Sequence, residues 1–132
     1  MKSQNLGLLI LRLTIGVLLI FHGISKISNG VGWIVEMFSE KGIPGFFAYA
    51  VYIGEVIAPL MLIFGIRTRV AALLIIANFL VVMFIAHPEQ VLALTENGAW
   101  ALEKPGLFLF ASLALFFTGG GKYGVSSRNR WD

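Results

Sequence analysis

Glu55 lies inside an apolar run, residues 46–66, that is long enough to cross a bilayer. A carboxylate at that depth costs about 2.5–3.5 kcal/mol on insertion scales, so it needs a partner or a task. Few side chains can supply either. His22 and Lys26 sit one helical turn apart in the first apolar run, and Arg12 lies nearer its start. Tyr52 precedes Glu55 by about a turn, and Asn78 lies midway along the third run. A carboxylic acid beside an imidazole can pass a proton, a neighbouring ammonium sets the charge balance, and a phenol or carboxamide supplies hydrogen bonds. Each group also has an ordinary role. Lys26 and Arg12 can snorkel to headgroups, and His22 can be a satisfied interior histidine. Glu55 can form a structural ion pair or stay protonated within the bundle. Asn78 can act as interhelical glue, and Tyr52 can be an interfacial tyrosine.

The elements that position these residues follow from composition. Of 132 residues, 58% are hydrophobic and 13% charged, with a mean hydropathy of +0.85. A soluble domain of this size could not hide so much apolar surface. Four runs hold the excess: residues 6–27, 46–66, 70–86 and about 100–118. The first two can each span a core of about 30 Å at about 1.5 Å per residue. The third is at the short limit and is expected to extend by a turn at one end. The fourth carries Glu103, Lys104 and Pro105 in its first turn, so its uninterrupted part, residues 106–117, is the shortest span. Strands would leave edges unpaired in lipid, so the spans are expected to be helices. The expected fold is all-α: one domain over residues 1–132, an antiparallel bundle of four transmembrane helices. The first run keeps Arg12 and lacks a signal-peptide exit, so it is expected to remain as a helix.

Small residues mark the packing faces. Gly16 and Gly23 stand a heptad apart on the first helix, and Ala50, Gly54 and Ala58 recur every four residues on the second. Such spacing lets backbones approach closely, and helix packing alone accounts for it. Arg12, Gly16, His22, Gly23 and Lys26 fall within about 120° of arc at 100° per residue. Glu55 lies about 13–14 Å below the outer end and His22 about 7–8 Å. Side chains lean toward their own helix N-terminus, so in an antiparallel pair the His22/Lys26 face and Glu55 approach one another.

Between the spans, residues 28–45 hold several helix breakers together with Trp33, Met37 and Phe38, which suits an amphipathic segment at the outer interface. Residues 65–69 form a tight turn, and residues 87–99 a polar loop with Pro88 and Asn97-Gly98.

The net charge of +3 reflects where the basic residues lie rather than nucleic-acid binding. Lys2, Arg67, Arg69, Lys122, Arg128 and Arg130 occupy the N-terminus, the second loop and the tail, which share one side in a four-span chain. The positive-inside rule makes that side cytoplasmic, so both termini are expected inside a bacterial cytoplasmic (inner) membrane. The absence of cysteine excludes disulfides, thiolate ligands and thiol relays within the chain. His22, His87 and Glu55 lack metal-ligand spacing, so no metal site is expected. Gly119, Gly121 and Gly124 match a dinucleotide glycine pattern, but they follow a helix; they suit a helix stop and a flexible exit.

Taken together, Leu11-Arg12-Leu13, Gly16, His22-Gly23, Lys26, Gly54-Glu55, the turn with Thr68-Arg69, and the tail Gly119-Gly120-Gly121-Lys122-Tyr123 resemble the DoxX family of small bacterial membrane proteins. Where that family usually continues with a Ser-Leu-Asp-like stretch, this chain reads Gly124-Val125-Ser126. The resemblance covers nearly the whole chain. It implies a four-helix integral membrane protein. Some members are associated with oxidoreductase systems, among them a thiosulfate:quinone oxidoreductase subunit and an assembly with superoxide dismutase and a sulfurtransferase. The resemblance therefore implies a redox-associated membrane subunit that contacts quinone or anchors a soluble oxidoreductase or sulfurtransferase partner. In that reading Glu55 and His22 exchange protons with a quinone, Lys26 sets their charge, and electrons come from a partner. Two alternatives stand beside it: a non-catalytic assembly protein whose buried charges fix helix register, and a small proton-coupled transporter using Glu55. The expected partners are the bilayer, a soluble redox protein and a second copy of the chain.

Overall fold

A computed structural model describes residues 3–132. Lys2, one of the residues behind the expected orientation, lies outside that range. Helix α1 spans Gln4–Asn29. Ser3 caps it, its hydroxyl accepting from the Leu6 N–H at 3.3 Å, and Gly30 stops it at φ 77° with an N–H donated to the Lys26 carbonyl. At about 1.5 Å per residue the helix is about 39 Å long, which exceeds a bilayer core.

The breaker-rich connection that follows is itself partly helical. Helix α2, Gly32–Glu40, buries Ile34 and Phe38 against Ala48 and Val51 and leaves Trp33 exposed. Gly42, at φ 77°, ends it. Helix α3, Gly45–Phe64, changes its winding along its length. Gly45–Ala50 is a 3₁₀ segment, Ile53–Ile57 is a π turn, and Ala58–Phe64 is regular α-helix. Gly65 adopts the left-handed conformation, and Arg67 follows at φ 45°, making the sharp turn into α4. Helix α4, Thr68–Ala86, is α-helical to Val81 and closes in a second π turn, Val82–Ala86. Pro88 follows at once and cannot continue the ladder. Residues 87–102 fold into a compact connection: Leu94 pairs antiparallel with Trp100, and the Trp100 indole donates to the Val91 carbonyl at 2.7 Å. Helix α5 spans Glu103–Thr118, with Pro105 tolerated in its first turn.

The four long helices form a ring in which α1 packs on α3, α3 on α4, α4 on α5 and α5 on α1. Leu19, Leu62, Ile75 and Leu115, one from each, are fully buried at the centre. The outside is as apolar as the inside: Ile10, Phe21, Phe64, Phe84, Phe110 and Phe117 are all exposed. Such a surface belongs in lipid, where van der Waals fit rather than water exclusion holds helices together. Three helices, α1, α3 and α4, are long and apolar enough to cross a membrane, and α5, at 16 residues, is a shorter fourth. The bundle is all-helical and antiparallel. The third span begins at Thr68, slightly earlier than its apolar run.

Candidate functional site

Pro59 shapes the site from below. It has no N–H to offer the Glu55 carbonyl four residues back, so a regular ladder cannot form across Glu55. The backbone instead takes the wider π turn, with the Ala58 N–H reaching the Ile53 carbonyl. Turns of this kind are rare and recur at functional sites. The released Glu55 carbonyl is covered by α1 at Gly23, where a Cβ would overlap its oxygen. Gly54, the residue before, lies flush against Asn78 of α4 and has no room for a side chain. Gly16 packs the same way against Pro59 and Ile63. Gly23 and Gly54 thus bring α1 and α4 against the turn of α3 that carries Glu55, and Gly16 seats α1 on the next turns of α3.

The Glu55 carboxylate is 3% exposed and has a donor on each oxygen. Lys26 Nζ lies 2.7 Å from Oε1, and Asn78 Nδ2 donates to Oε2 at 3.2 Å. The three side chains come from three helices. Tyr52 does not reach the carboxylate; its hydroxyl donates to the Lys26 backbone carbonyl at 3.1 Å. That carbonyl sits in the last turn of α1, so Tyr52 ties α3 to the backbone of Lys26. His22 shares the site without joining the ion pair. Its ring meets the edge of Phe108 at 6.2 Å between centroids, and Phe108 stacks on Phe79 at 5.4 Å.

Glu55, Lys26, Asn78 and His22, with Phe79 and Phe108, line a cavity of about 740 Å³, within the range usual for small-molecule sites. Its walls are largely apolar, with Ile34, Phe38, Val51 and Phe108 among them; Lys104, His87 and Gln90 add polar groups at the side of α5 and the 87–102 connection. Exposed Trp33, Phe47 and Lys104 are also lining residues, so the cavity reaches the surface. Lys104 escapes a sequence reading because Glu103-Lys104-Pro105 looks like an interruption of a span. The available signal was depth: Lys104 starts α5 at the end of the bundle where Lys26 ends α1. Among the described residues no group of three His, Asp or Glu side chains could hold a metal ion.

Two expected site residues belong elsewhere. Ala50 lines the cavity and is exposed, unlike buried Gly54 and Ala58. The stripe of small residues assumed 100° per residue, whereas Ala50 ends a 3₁₀ segment and Gly54 lies in a π turn, so the four-residue spacing does not by itself put them on one packed face. Ala58 is fully buried. Arg12 lies far below, about ten residues or 15 Å from His22 along α1. It neither snorkels nor meets Glu55. Its guanidinium, 1% exposed, donates from Nη2 to the Tyr123 carbonyl and is enclosed by Gly65, Gly120 and Gly124.

The tail expected to leave as a flexible exit is therefore folded across that end. The Val125 and Ser126 N–H groups donate to the Phe64 and Gly65 carbonyls, both at 3.0 Å. Arg69 Nε donates to the Phe116 carbonyl at 2.8 Å and its Nη1 to the Arg130 carbonyl at 2.7 Å. Arg67 pairs with Asp132 at 3.0 Å. Burial works against ionisation of the Asp132 carboxyl, but hydrogen bonds from Ser126, the Asn129 N–H and Arg67 outweigh it and hold its pKa at about 2.

The sequence model of the DoxX family matches residues 7–88. The chain belongs to the DoxX family. The match takes in Arg12, His22, Lys26, Glu55 and Asn78, whereas Lys104 and the tail lie beyond it. Among curated proteins, "Putative oxidoreductase CatD" of Bacillus subtilis (strain 168) is 34% identical over 73 residues, which are 55% of this chain and 54% of that protein. The matched part of this DoxX protein thus spans about half the length of that relative. No solved structure matches the chain. Family and apolar helices together make it a membrane protein.

Proposed function

We propose that this protein is the membrane component of an oxidoreductase system and that its cavity binds a quinone-type carrier. The observation that carries this reading is the placement of the Lys26–Glu55–Asn78 cluster in the wall of a largely apolar, surface-reaching cavity of about 740 Å³. A relative's printed name, that of an oxidoreductase, supports the redox half. The donor set suits such a ligand. Lys26 has three N–H donors and Asn78 two, and one of each meets Glu55. The rest are available to carbonyl or hydroxyl oxygens. A bound quinone supplies two-electron, two-proton chemistry. Glu55 accepts and holds a proton at a carboxylate oxygen, and Lys26, 2.7 Å away, holds that oxygen in place. The His22 imidazole stands at the aromatic wall as a second proton group. Electrons come from a soluble partner.

Orientation follows from charge. Arg67, Arg69, Arg128 and Arg130 gather at the end of the bundle away from the cavity. With that end in the cytoplasm of a bacterial cell, the cavity lies in the outer half of the cytoplasmic membrane. A reporter fused after Asp132 is expected to be active only in its cytoplasmic form; the reverse result refutes the orientation.

Purification in mild detergent, solvent extraction and quantification of quinone tests the binding. Near-equal amounts of carrier and protein are expected, with a clear fall in Glu55→Gln. Protein that arrives without quinone but with a stoichiometric soluble partner would replace this reading with an anchoring role.

A further inference from the structure

We propose that the cavity selects an anionic amphiphile, and that Lys104 is the residue that recognises its charge. For the ring portion of the ligand this rests on the carrier-binding reading above; for the charge it rests on the lining itself.

The lining holds one acid and two amines. Glu55 is already satisfied, with Lys26 at 2.7 Å and Asn78 at 3.2 Å. Lys104 takes part in neither ion pair formed among the described residues, which join Lys26 to Glu55 and Arg67 to Asp132. With the histidines neutral, the cavity carries one positive charge more than it balances. Glu103 is adjacent in sequence but forms no ion pair with it. It is exposed and absent from the lining.

A second source of positive potential acts in the same place. Leu102, Lys104 and Pro105 all line the cavity, so the N-terminal end of the 16-residue helix α5 borders it. That end carries the positive pole of the helix dipole, about half an elementary charge, which Glu103 in the same first turn offsets in part. The neighbouring walls, Phe38, Val51 and Phe108, are apolar. Lys104 is exposed at the edge of these walls, so it meets a charged group at the entrance of the cavity rather than deep within it. A neutral quinone can use the spare donors of Lys26 and Asn78 but leaves Lys104 without a partner. A ring bearing an ionised hydroxyl or carboxylate meets it. The ligand class that fits is an amphiphile with an aromatic or quinoid body and a single negative charge.

The test uses the full chain in detergent and follows quenching of tryptophan fluorescence, since Trp33 lines the cavity. The probes are a hydroxynaphthoquinone, ionised at neutral pH, its neutral methoxy ether, and naphthoate, an anion with no quinone. The hydroxyquinone is expected to bind about tenfold more tightly than the ether. Lys104→Gln should erase that preference and Lys104→Arg should keep it. Lys104 is exposed, so neither change threatens folding. Equal binding of both quinones to the unsubstituted protein overturns charge selection while leaving carrier binding intact. A preference that survives Lys104→Gln overturns the assignment to Lys104. Binding of naphthoate with no binding of the neutral ether upholds the anion site and counts against a carrier role. Failure of all three probes overturns both proposals.

Discussion

At one end of the bundle Glu55, 3% exposed, borders a cavity; at the other Arg12, 1% exposed, is enclosed by backbone. Both are buried charges on faces that look into the bundle. Glu55 is held by side chains from two other helices, Lys26 and Asn78, which can change rotamer. Arg12 is held by the Tyr123 carbonyl and packs against Gly65, Gly120 and Gly124, where any Cβ would collide with it, and its Nε has no partner. The first arrangement can exchange a partner for a ligand. The second can only be intact or broken. Burial alone therefore does not separate a working charge from a structural one; adjoining volume and replaceable partners do.

Removing the ammonium from the cavity end should have the largest effect. Lys26→Met leaves Glu55 buried without its counter-charge, and a loss of about 3–5 kcal/mol is expected, read as thermal unfolding in detergent. Adding Glu55→Gln should recover most of it, because the double variant buries no charge. If Lys26→Met unfolds like the parent, Glu55 is already protonated in place and the contrast with Arg12 disappears.

At the opposite end, Arg12→Ala is expected to cost about 2–3 kcal/mol, since the Tyr123 carbonyl loses its charged donor and a large buried side chain is removed. Proteolysis should then cut within residues 123–130 while probe binding in the cavity stays unchanged. A binding defect as large as the stability defect would mean that the two ends are coupled.

Glu55→Gln keeps shape and hydrogen-bonding capacity, so a stability change within about 1 kcal/mol is expected together with loss of function. Combining it with His22→Ala should be no worse than Glu55→Gln alone if the two act as one unit. Low abundance with normal activity per folded molecule would instead mark the Lys26–Glu55 pair as a register device. That is the form a non-catalytic assembly role would take, and the full pairing of Glu55 is the observation that favours it.

The smallest effect belongs to the tail. Asp132 has a folded pKa of about 2 against an ordinary 3.8. A lowered pKa means that its contribution to stability is complete above pH 3.8 and is lost as pH falls toward 2. Trp131 fluorescence should report loosening of the tail across that window, and Asp132→Asn should remove the transition. A transition that persists in Asp132→Asn would place the acid sensitivity in another group.

The approach of Lys26 to Glu55 was legible because it follows from helix arithmetic: depth, lean and one face of an antiparallel pair. Asn78 was legible as a polar residue in a span, though not as a ligand of this particular carboxylate. Tyr52 and Ala50 were misplaced for a shared reason. Their expected positions assumed a uniform α-helix, whereas Pro59 and the 3₁₀ start of α3 change the winding. Pro59 was visible four residues after Glu55, and the missing donor was the overlooked signal.

Hydrophobic runs, charge distribution and breakers determined the helical membrane architecture from the sequence alone, because lipid admits few ways to satisfy a backbone and each leaves a local mark. The fate of Arg12, the order of the tail, and the cavity with Lys104 at its edge were decided only by tertiary structure. Each depends on residues from distant parts of the chain, Arg12 with Tyr123 and Lys26 with Lys104, and no local periodicity records which of them will share a space.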